Sequence, residues 1–156
     1  MSPPPSPISH VLRVVRLPAV LVVAAGGAVG AAARYGISLI HPTPVTAFPW
    51  TTLVINLSGC LMMGVLTVAL TERFTRAPRL LDPALGTGVL GGYTTFSTFT
   101  DDTRLLFERG KSGEAVADLV LTMGLAPAAV VAGFVLGRVA LVRPHGKRVD
   151  GDGRRG

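Results

Sequence analysis

The sequence predicts an all-α membrane protein with four transmembrane helices, of which the third is broken at its centre. Hydrophobic residues make up 49% of the 156 residues, charged residues make up 15%, and the mean hydropathy is +0.52. Such a chain is too apolar for a soluble domain of this length. Its apolar residues form four long runs, and small, hydroxyl-bearing and aromatic residues interrupt the third run at 91–99.

The chain divides into a membrane domain and two polar ends. Residues 1–12 contain four prolines and predict a disordered lead. Residues 13–142 hold four runs that can each cross a hydrocarbon core of about 30 Å, and 143–156 form a basic tail that is predicted to be disordered. Pro83 suits the first turn of the third span, and Pro127 is expected to interrupt the fourth. The predicted spans cover about residues 17–40, 50–70, 83–107 and 115–142.

The first span has a second interpretation as a secretory signal, because basic residues precede an apolar run that contains Ala31-Ala32-Ala33. The apolar run continues beyond these alanines, however. Gly26, Gly27 and Gly30 also suit a helix that packs closely against its neighbours. A retained transmembrane helix is therefore the favoured interpretation.

The positive charge of the chain has a topological explanation. The formal net charge is +6, and five of the 15 Lys and Arg residues follow the last apolar run. Basic flanks are common beside membrane helices, so nucleic-acid binding is not predicted. Four spans place both termini on one side, and that side has the excess of Lys and Arg. Cytoplasmic termini and multi-pass insertion in the cell inner (plasma) membrane are expected.

No catalytic group is visible in the sequence, so the chain is not predicted to be an enzyme. His10, His41 and His145 lie in the lead, a loop and the tail, away from the polar residues of the spans. Cys60 is the single cysteine and lies in an apolar run, which excludes a disulfide within the chain. We interpret Cys60 as a packing residue.

The predicted spans contain uncharged hydrogen-bond donors. Asn56 would be costly to leave unpartnered, because its amide has two donors and an acceptor. Ser and Thr often bond carbonyls of their own helix, and that interpretation stays open. Alternatively, such donors suit an anion path, because fixed positive charges would hold an anion too tightly. The candidate donors are Asn56, Ser58, Thr94, Thr95, Ser97, Thr98 and Thr122.

Two phenylalanines and two backbone carbonyls are further candidates for ion binding near these donors. Phe96 and Phe99 are three residues apart and share a helix face, so their positive ring edges could meet a small anion. Alone, such a pair is more often core or lipid-facing. We expect the helix to break at Gly91-Gly92 and to resume at Phe96, and carbonyls released near Gly91 and Thr94 could hold a hard monovalent cation.

Charged residues near the spans have simpler explanations. Arg34 could extend to the membrane interface or attract anions into a vestibule. Asp102 and Asp118 lie near the polar turn after the third span and receive no transport role. They are expected to cap helices or to pair with Arg104, Arg109 or Lys111.

Together these residues resemble the small bacterial fluoride channels (CrcB/Fluc) over roughly residues 26–142. The motifs are Gly26-Gly27-x-x-Gly30 with Arg34-Tyr35, Asn56-Leu57-x-Gly59 with Gly64, and Gly91-Gly92-x-Thr94-Thr95-Phe96-Ser97-Thr98-Phe99.

The resemblance implies a dual-topology dimer with fluoride pathways at its interface, which passively exports cytoplasmic fluoride through the membrane. A central structural sodium ion would be held by the backbone oxygens of Gly91 and Thr94. The partner would be a second copy or a paralogue in antiparallel orientation, surrounded by membrane lipid. By the same similarity the fluoride pathway would include Asn56, Phe96, Phe99, Ser97, Thr98, Thr95 and Arg34.

The sequence departs from this family in two ways. Residues 125–129 of the fourth span are apolar where the family has polar side chains, which leaves Thr122 as a weak candidate. The charge bias also favours one orientation, so a paralogue of opposite bias would be needed for a heterodimer. A small multidrug-type exporter is disfavoured because its first span needs a carboxylate, and this chain has Arg34 there instead. A non-transporting membrane assembly subunit is the third alternative.

Overall fold

The computed structural model describes residues 17–44 and 47–142, and the regular structure in these ranges is helical. The predicted lead at 1–12 and tail at 143–156 lie outside the described residues. We call Pro83–Glu108 the third region, because it combines several helical segments. The helices are α1 (Leu17–Ile40), α2 (Trp50–Val68), α3 (Gly91–Tyr93), α4 (Phe96–Glu108) and α5 (Ser112–Leu141), with π-helical segments at Ala69–Arg73 and Pro83–Leu90.

Three of the helical segments are long and apolar enough to cross a membrane. They are Leu17–Ile40, Trp50–Arg73 and Ser112–Leu141. The chain is therefore a multi-pass membrane protein, as predicted, but the predicted third span at about 83–107 is divided into shorter segments and is not one of these three. The expected interruption at Pro127 is wrong, because α5 is a continuous helix of 30 residues that includes Pro127. Proline removes one backbone N–H donor from the helix. Because lipid offers the backbone no other hydrogen-bond partner, the residues on both sides of Pro127 keep their helical hydrogen bonds despite that loss.

The third region is interrupted at Thr94 and Thr95. Thr94 has ψ 157°, and Thr95 has φ −145° and ψ 123°, so both residues are extended between α3 and α4. Gly91 and Gly92, where unwinding was expected, are helical instead. The helix resumes at Phe96, so the interruption is confined to the last two residues before this restart.

The glycine pair serves close packing against α1. A Cβ atom added at Gly92 would overlap the carbonyl group of Gly27, and one added at Gly30 would overlap the carbonyl oxygen of Val89. The first half of the third region therefore lies against α1 at a distance that only glycine permits. This explains why Gly92 is required without being unwound.

A second pair of glycines brings α2 and α5 together. A Cβ atom at Gly64 would overlap the carbonyl oxygen of Val130, and one at Gly133 would overlap that of Leu61. The helix α4 also packs against α5, through buried residues that include Phe99, Leu106 and Ala115. The interrupted segment consequently lies beside both α2 and α5.

Candidate functional site

Asn56 of α2 holds the interrupted segment by two hydrogen bonds. The Thr95 backbone N–H donates to Asn56 Oδ1 at 2.8 Å, and Asn56 Nδ2 donates to the Thr95 carbonyl at 3.0 Å. The Asn56 side chain is buried. One amide thus satisfies both backbone groups of a residue that has left the helix, and it does so with its oxygen and one of its two N–H groups.

The interruption changes the hydrogen bonding of two carbonyl groups. In a continuous α-helix the Gly91 carbonyl would accept from the Thr95 N–H, and the Thr94 carbonyl from the Thr98 N–H. Here the Thr95 N–H donates to Asn56, and the Thr98 N–H donates to Thr95 Oγ1 at 3.1 Å. The carbonyls of Gly91 and Thr94, which the sequence singles out, have therefore lost these helical partners.

Thr95 also caps the first turn of α4. Its hydroxyl accepts from the Thr98 N–H, donates to Thr98 Oγ1 at 2.9 Å, and lies 3.3 Å from Ser97 Oγ. A side-chain acceptor at this position satisfies a backbone donor that the start of a helix leaves free. In this chain Ser97 and Thr98 belong to that local network, and neither contributes to the groove described next.

An open groove of about 400 Å³ runs between the interrupted segment and α5. It brings together four of the residues that the sequence predicts for an ion pathway, which are Asn56, Thr95, Phe96 and Phe99. The described lining residues carry no formal charge. They are Asn56, Cys60, Thr94, Thr95, Phe96 and Phe99 on one side, and Thr122, Met123, Ala126, Pro127 and Val130 on α5.

The two phenylalanines differ in burial. Their ring centroids are 5.8 Å apart with a 55° angle between the ring planes. Phe99 is 2% exposed, whereas Phe96 is 69% exposed in the single chain. Phe99 is therefore fixed in the core, and Phe96 stands at the open side of the groove.

The groove offers uncharged donors to a small anion. An asparagine amide has two N–H donors, and only one of those on Asn56 is used by the Thr95 carbonyl. Ring edges of phenylalanine carry partial positive charge. An anion would thus meet donors and ring edges without a full positive charge, which is the arrangement that allows both binding and release.

Thr122 supplies a hydroxyl group from α5. Its side chain is buried and lines the groove, although the sequence makes it only a weak candidate. The neighbouring Ala126 and Pro127 form the apolar part of the same wall. The spacing of Asp118 and Thr122, four residues apart and hence on one helix face, is the sequence signal that points to this position.

Arg34 is not brought to the groove. Its Nε donates to the Gly92 carbonyl at 3.4 Å, which places the guanidinium between α1 and the first half of the third region. The Gly92 carbonyl is another acceptor next to the interruption. Arg34 therefore contacts the backbone of the interrupted region rather than the groove lining.

Asp102 and Asp118 each accept a hydrogen bond from a threonine, whereas the sequence leads us to expect that they cap helices or pair with Arg104, Arg109 or Lys111. Asp102 Oδ2 accepts from Thr52 Oγ1 at 2.6 Å, and Asp118 Oδ2 accepts from Thr103 Oγ1 at 2.7 Å. Asp118 lies six residues into α5 and faces α4, so it is remote from the polar turn. The ion pairs in this part of the chain join Arg104 to Asp101 and Glu108, and Lys111 to Glu114.

Comparison with known proteins identifies relatives over most of the membrane domain. A protein-family model described as CrcB-like protein, Camphor Resistance (CrcB), matches residues 21–134, which include the whole groove. This match confirms the resemblance seen in the sequence.

Three similar proteins carry the name fluoride-specific ion channel. FluC 1 of Streptomyces coelicolor is 52% identical over 105 residues, covering 67% of this chain and 68% of the relative. FluC of Paracoccus denitrificans is 45% identical over 118 residues, covering 76% and 93%. FluC 2 of Nocardia farcinica is 46% identical over 121 residues, covering 77% and 83%. Ion channels are not enzymes, which agrees with the prediction for this chain.

Proposed function

The chain belongs to the CrcB-like protein family, and from this premise we propose that it conducts fluoride passively across the cell membrane. The observation that carries the proposal is the groove, where Asn56, Phe96 and Phe99 line a space that no formally charged residue borders among the described residues. The names of the relatives supply the identity of the anion. The groove supplies uncharged hydrogen-bond donors, which suit a small anion.

In this proposal the second N–H of Asn56 donates to fluoride, and the ring edges of Phe96 and Phe99 replace part of its water shell. Fluoride is small and accepts hydrogen bonds strongly, so a few uncharged donors can compensate for lost water. Thr95 contributes by fixing the first turn of α4, with Ser97 and Thr98 in the same network. Arg34 adds positive charge near the interruption, outside the groove lining.

The open side of the groove supports a dimer. Phe96 is 69% exposed in the single chain, so one subunit provides only part of a wall. We propose that a second subunit in antiparallel orientation covers this side and that two pathways form along the interface. The partner is a second copy of the chain or a paralogue.

The distribution of charge bears on the identity of the partner. The loop after α2 contains Arg73, Arg76 and Arg79. At the opposite end of the bundle lie Arg104, Arg109 and Lys111. The excess of Lys and Arg on the first side therefore comes from the sequence near the two termini, which contains Arg13, Arg16, Arg143, Lys147 and Arg148. This uneven charge favours one orientation of the chain. A paralogue with the opposite bias would then complete an antiparallel pair.

A structural sodium ion fits the residues at the interruption. The carbonyls of Gly91 and Thr94 have lost their helical partners, and carbonyl oxygens suit a hard monovalent cation. One chain would supply two oxygens, and an antiparallel partner would supply equivalent ones. When bound, sodium would supply a fixed positive charge that joins the two interrupted segments.

Passive conduction accounts for export without an energy source. Protonated fluoride crosses lipid and dissociates in the cytoplasm, so a path for the anion lets the membrane potential drive fluoride outwards. Such a channel requires neither a nucleotide site nor proton coupling.

Fluoride efflux from liposomes tests the proposal. The purified chain, alone and together with a paralogue of opposite charge bias, is reconstituted, and release of fluoride and chloride is recorded with ion-selective electrodes. We expect rapid fluoride release and no chloride release. No fluoride release from a verified dimer in either preparation would contradict the proposal.

A double variant separates a channel from an assembly subunit. Phe96→Ile together with Phe99→Ile should abolish fluoride release while the protein remains dimeric by size-exclusion chromatography. A dissociated but otherwise stable protein would instead indicate a scaffolding role for these rings.

A further inference from the structure

A buried carboxylate lies one helical turn from the groove and has no part in the proposed pathway. Asp118 of α5 is 1% exposed. Its Oδ2 accepts from Thr103 Oγ1 at 2.7 Å, and its Oδ1 lies 3.5 Å from the hydroxyl of Thr122. An ionisable group inside a membrane domain is costly to bury and commonly marks a functional position.

The two threonines are held by Asp118 to different degrees. The Thr103 hydroxyl is close to two acceptors, Asp118 Oδ2 and the Phe99 carbonyl at 2.9 Å, and therefore remains in the core. The Thr122 hydroxyl is at the outer limit of hydrogen bonding from Asp118, and Thr122 is one of the residues that line the groove. Its proton can thus be directed either to the carboxylate or to an occupant of the groove.

The charge on Asp118 decides between these two directions. An ionised carboxylate can only accept hydrogen bonds, so it attracts the Thr122 proton and leaves the oxygen lone pairs of Thr122 for the groove. A protonated carboxyl has an O–H that can donate to Thr122 Oγ1. The Thr122 proton is then free to donate to an anion, and a negative charge near the groove has been removed.

Resting on the proposed fluoride conduction, we propose that Asp118 is a positioning residue whose protonation turns the Thr122 hydroxyl towards the groove and increases fluoride flux in acid. The proton comes from water at the groove and returns there, and no covalent bond forms or breaks. The chemistry points to a small, strongly hydrogen-bond-accepting anion, because a single redirected O–H donor favours such an anion most.

Few other charged groups face Asp118 among the described residues. The helix α2 has no charged residue between Trp50 and Val68. On α4, Asp102 is adjacent to Thr103 and accepts from Thr52. Arg104 pairs with Asp101 and Glu108 on the exposed side, and Lys111 and Glu114 pair at the start of α5. Asp102 is therefore the alternative titrating group that the experiment has to exclude.

The experiment measures fluoride release from liposomes over a series from neutral to acidic pH, with protein-free vesicles to subtract leakage of protonated fluoride. We expect the wild-type rate to rise about tenfold in acid, which corresponds to one hydrogen bond to a charged group. Asp118→Asn should be fast at every pH, because its amide donates permanently to Thr122. Thr122→Val should be slow at every pH, and Thr122→Ser should restore the wild-type profile.

Two carboxylate variants serve as controls. Asp101→Asn alters an exposed acid beside Arg104 and should keep the wild-type profile. Loss of the pH response in Asp102→Asn, with the response retained in Asp118→Asn, would overturn the inference. A flat wild-type profile would also overturn it while leaving the proposed function intact. Absence of fluoride release at every pH would overturn both.

Discussion

The helix α5 and the third region respond in opposite ways to residues that disturb helices. The helix α5 contains Pro127 in its interior and remains continuous. The third region has no proline after Pro83, and it leaves the helical conformation at Thr94 and Thr95. Local helix propensity predicts the reverse, because proline is far more disruptive than threonine.

The difference shows that partners from outside the helix decide where the backbone unwinds. In the third region Asn56 supplies a donor and an acceptor to the backbone of Thr95. Around Pro127 the helix packs against α2 through Gly64 and Gly133, and its neighbouring turns keep their own hydrogen bonds. An interruption within a membrane is stable only where protein replaces the lost bonds.

Removing Asn56, the partner from outside the third region, should cause the largest loss of stability. Asn56→Leu leaves the N–H and carbonyl of Thr95 unsatisfied, so we expect a loss of about 2 to 6 kcal/mol of stability. Chemical unfolding of the purified wild type and variant in detergent measures this loss.

A matched control lies two residues along the same helix. The Ser58 hydroxyl donates to the Ile55 carbonyl of its own helix at 3.0 Å, and its only partner from another helix among the described residues is the Tyr93 hydroxyl, also at 3.0 Å. Ser58→Ala should cost only about 0.5 to 1.5 kcal/mol. Equal losses in the two variants would contradict the role assigned to Asn56.

Removing the Thr95 cap at the start of α4 should cause an intermediate loss of stability. Thr95→Ala removes the acceptor of the Thr98 N–H and should destabilise the protein by about 1 kcal/mol. Thr95→Ser keeps the hydroxyl and should match the wild type in the same unfolding measurement. A stability loss in the serine variant as large as in the alanine variant would exclude capping as the cause.

Changing the proline of α5 should have the smallest effect on the fold. Because the helix is already continuous at Pro127, Pro127→Ala should restore one backbone hydrogen bond and raise stability by at most about 3 kcal/mol, the cost of an interior proline relative to alanine. Helical content by circular dichroism should stay the same. A marked gain in helical content would show that Pro127 interrupts α5 in the membrane, which would remove the contrast with the third region.

Much of the helical framework can be predicted from the sequence. The apolar runs at about 17–40 and 50–70 correspond to α1 and to α2 with its π-helical continuation. An unusual segment in the third run is also evident, because hydroxyl and aromatic residues replace aliphatic ones. Composition and length are enough for these predictions, since lipid requires each crossing segment to be long, apolar and internally bonded.

The residue at which the interruption starts could not be predicted from local residues. Glycine suggests unwinding, yet Gly92 is selected by its contact with Gly27 of α1. The need of Asn56 for partners is evident from its chemistry, but its partner is 39 residues away in sequence. The groove wall on α5 likewise depends on the rotation of that helix, which places Thr122 beside the third region and Asp118 against Thr103.

Backbone torsion angles of Thr94 and Thr95 in lipid bilayers test the central claim most directly. Solid-state NMR of the reconstituted protein, labelled at these threonines, reports the angles from chemical shifts. We predict extended values, with ψ close to the 157° and 123° found here. Helical values for both residues, with ψ near about −42°, would contradict an interrupted third region and the groove that depends on it.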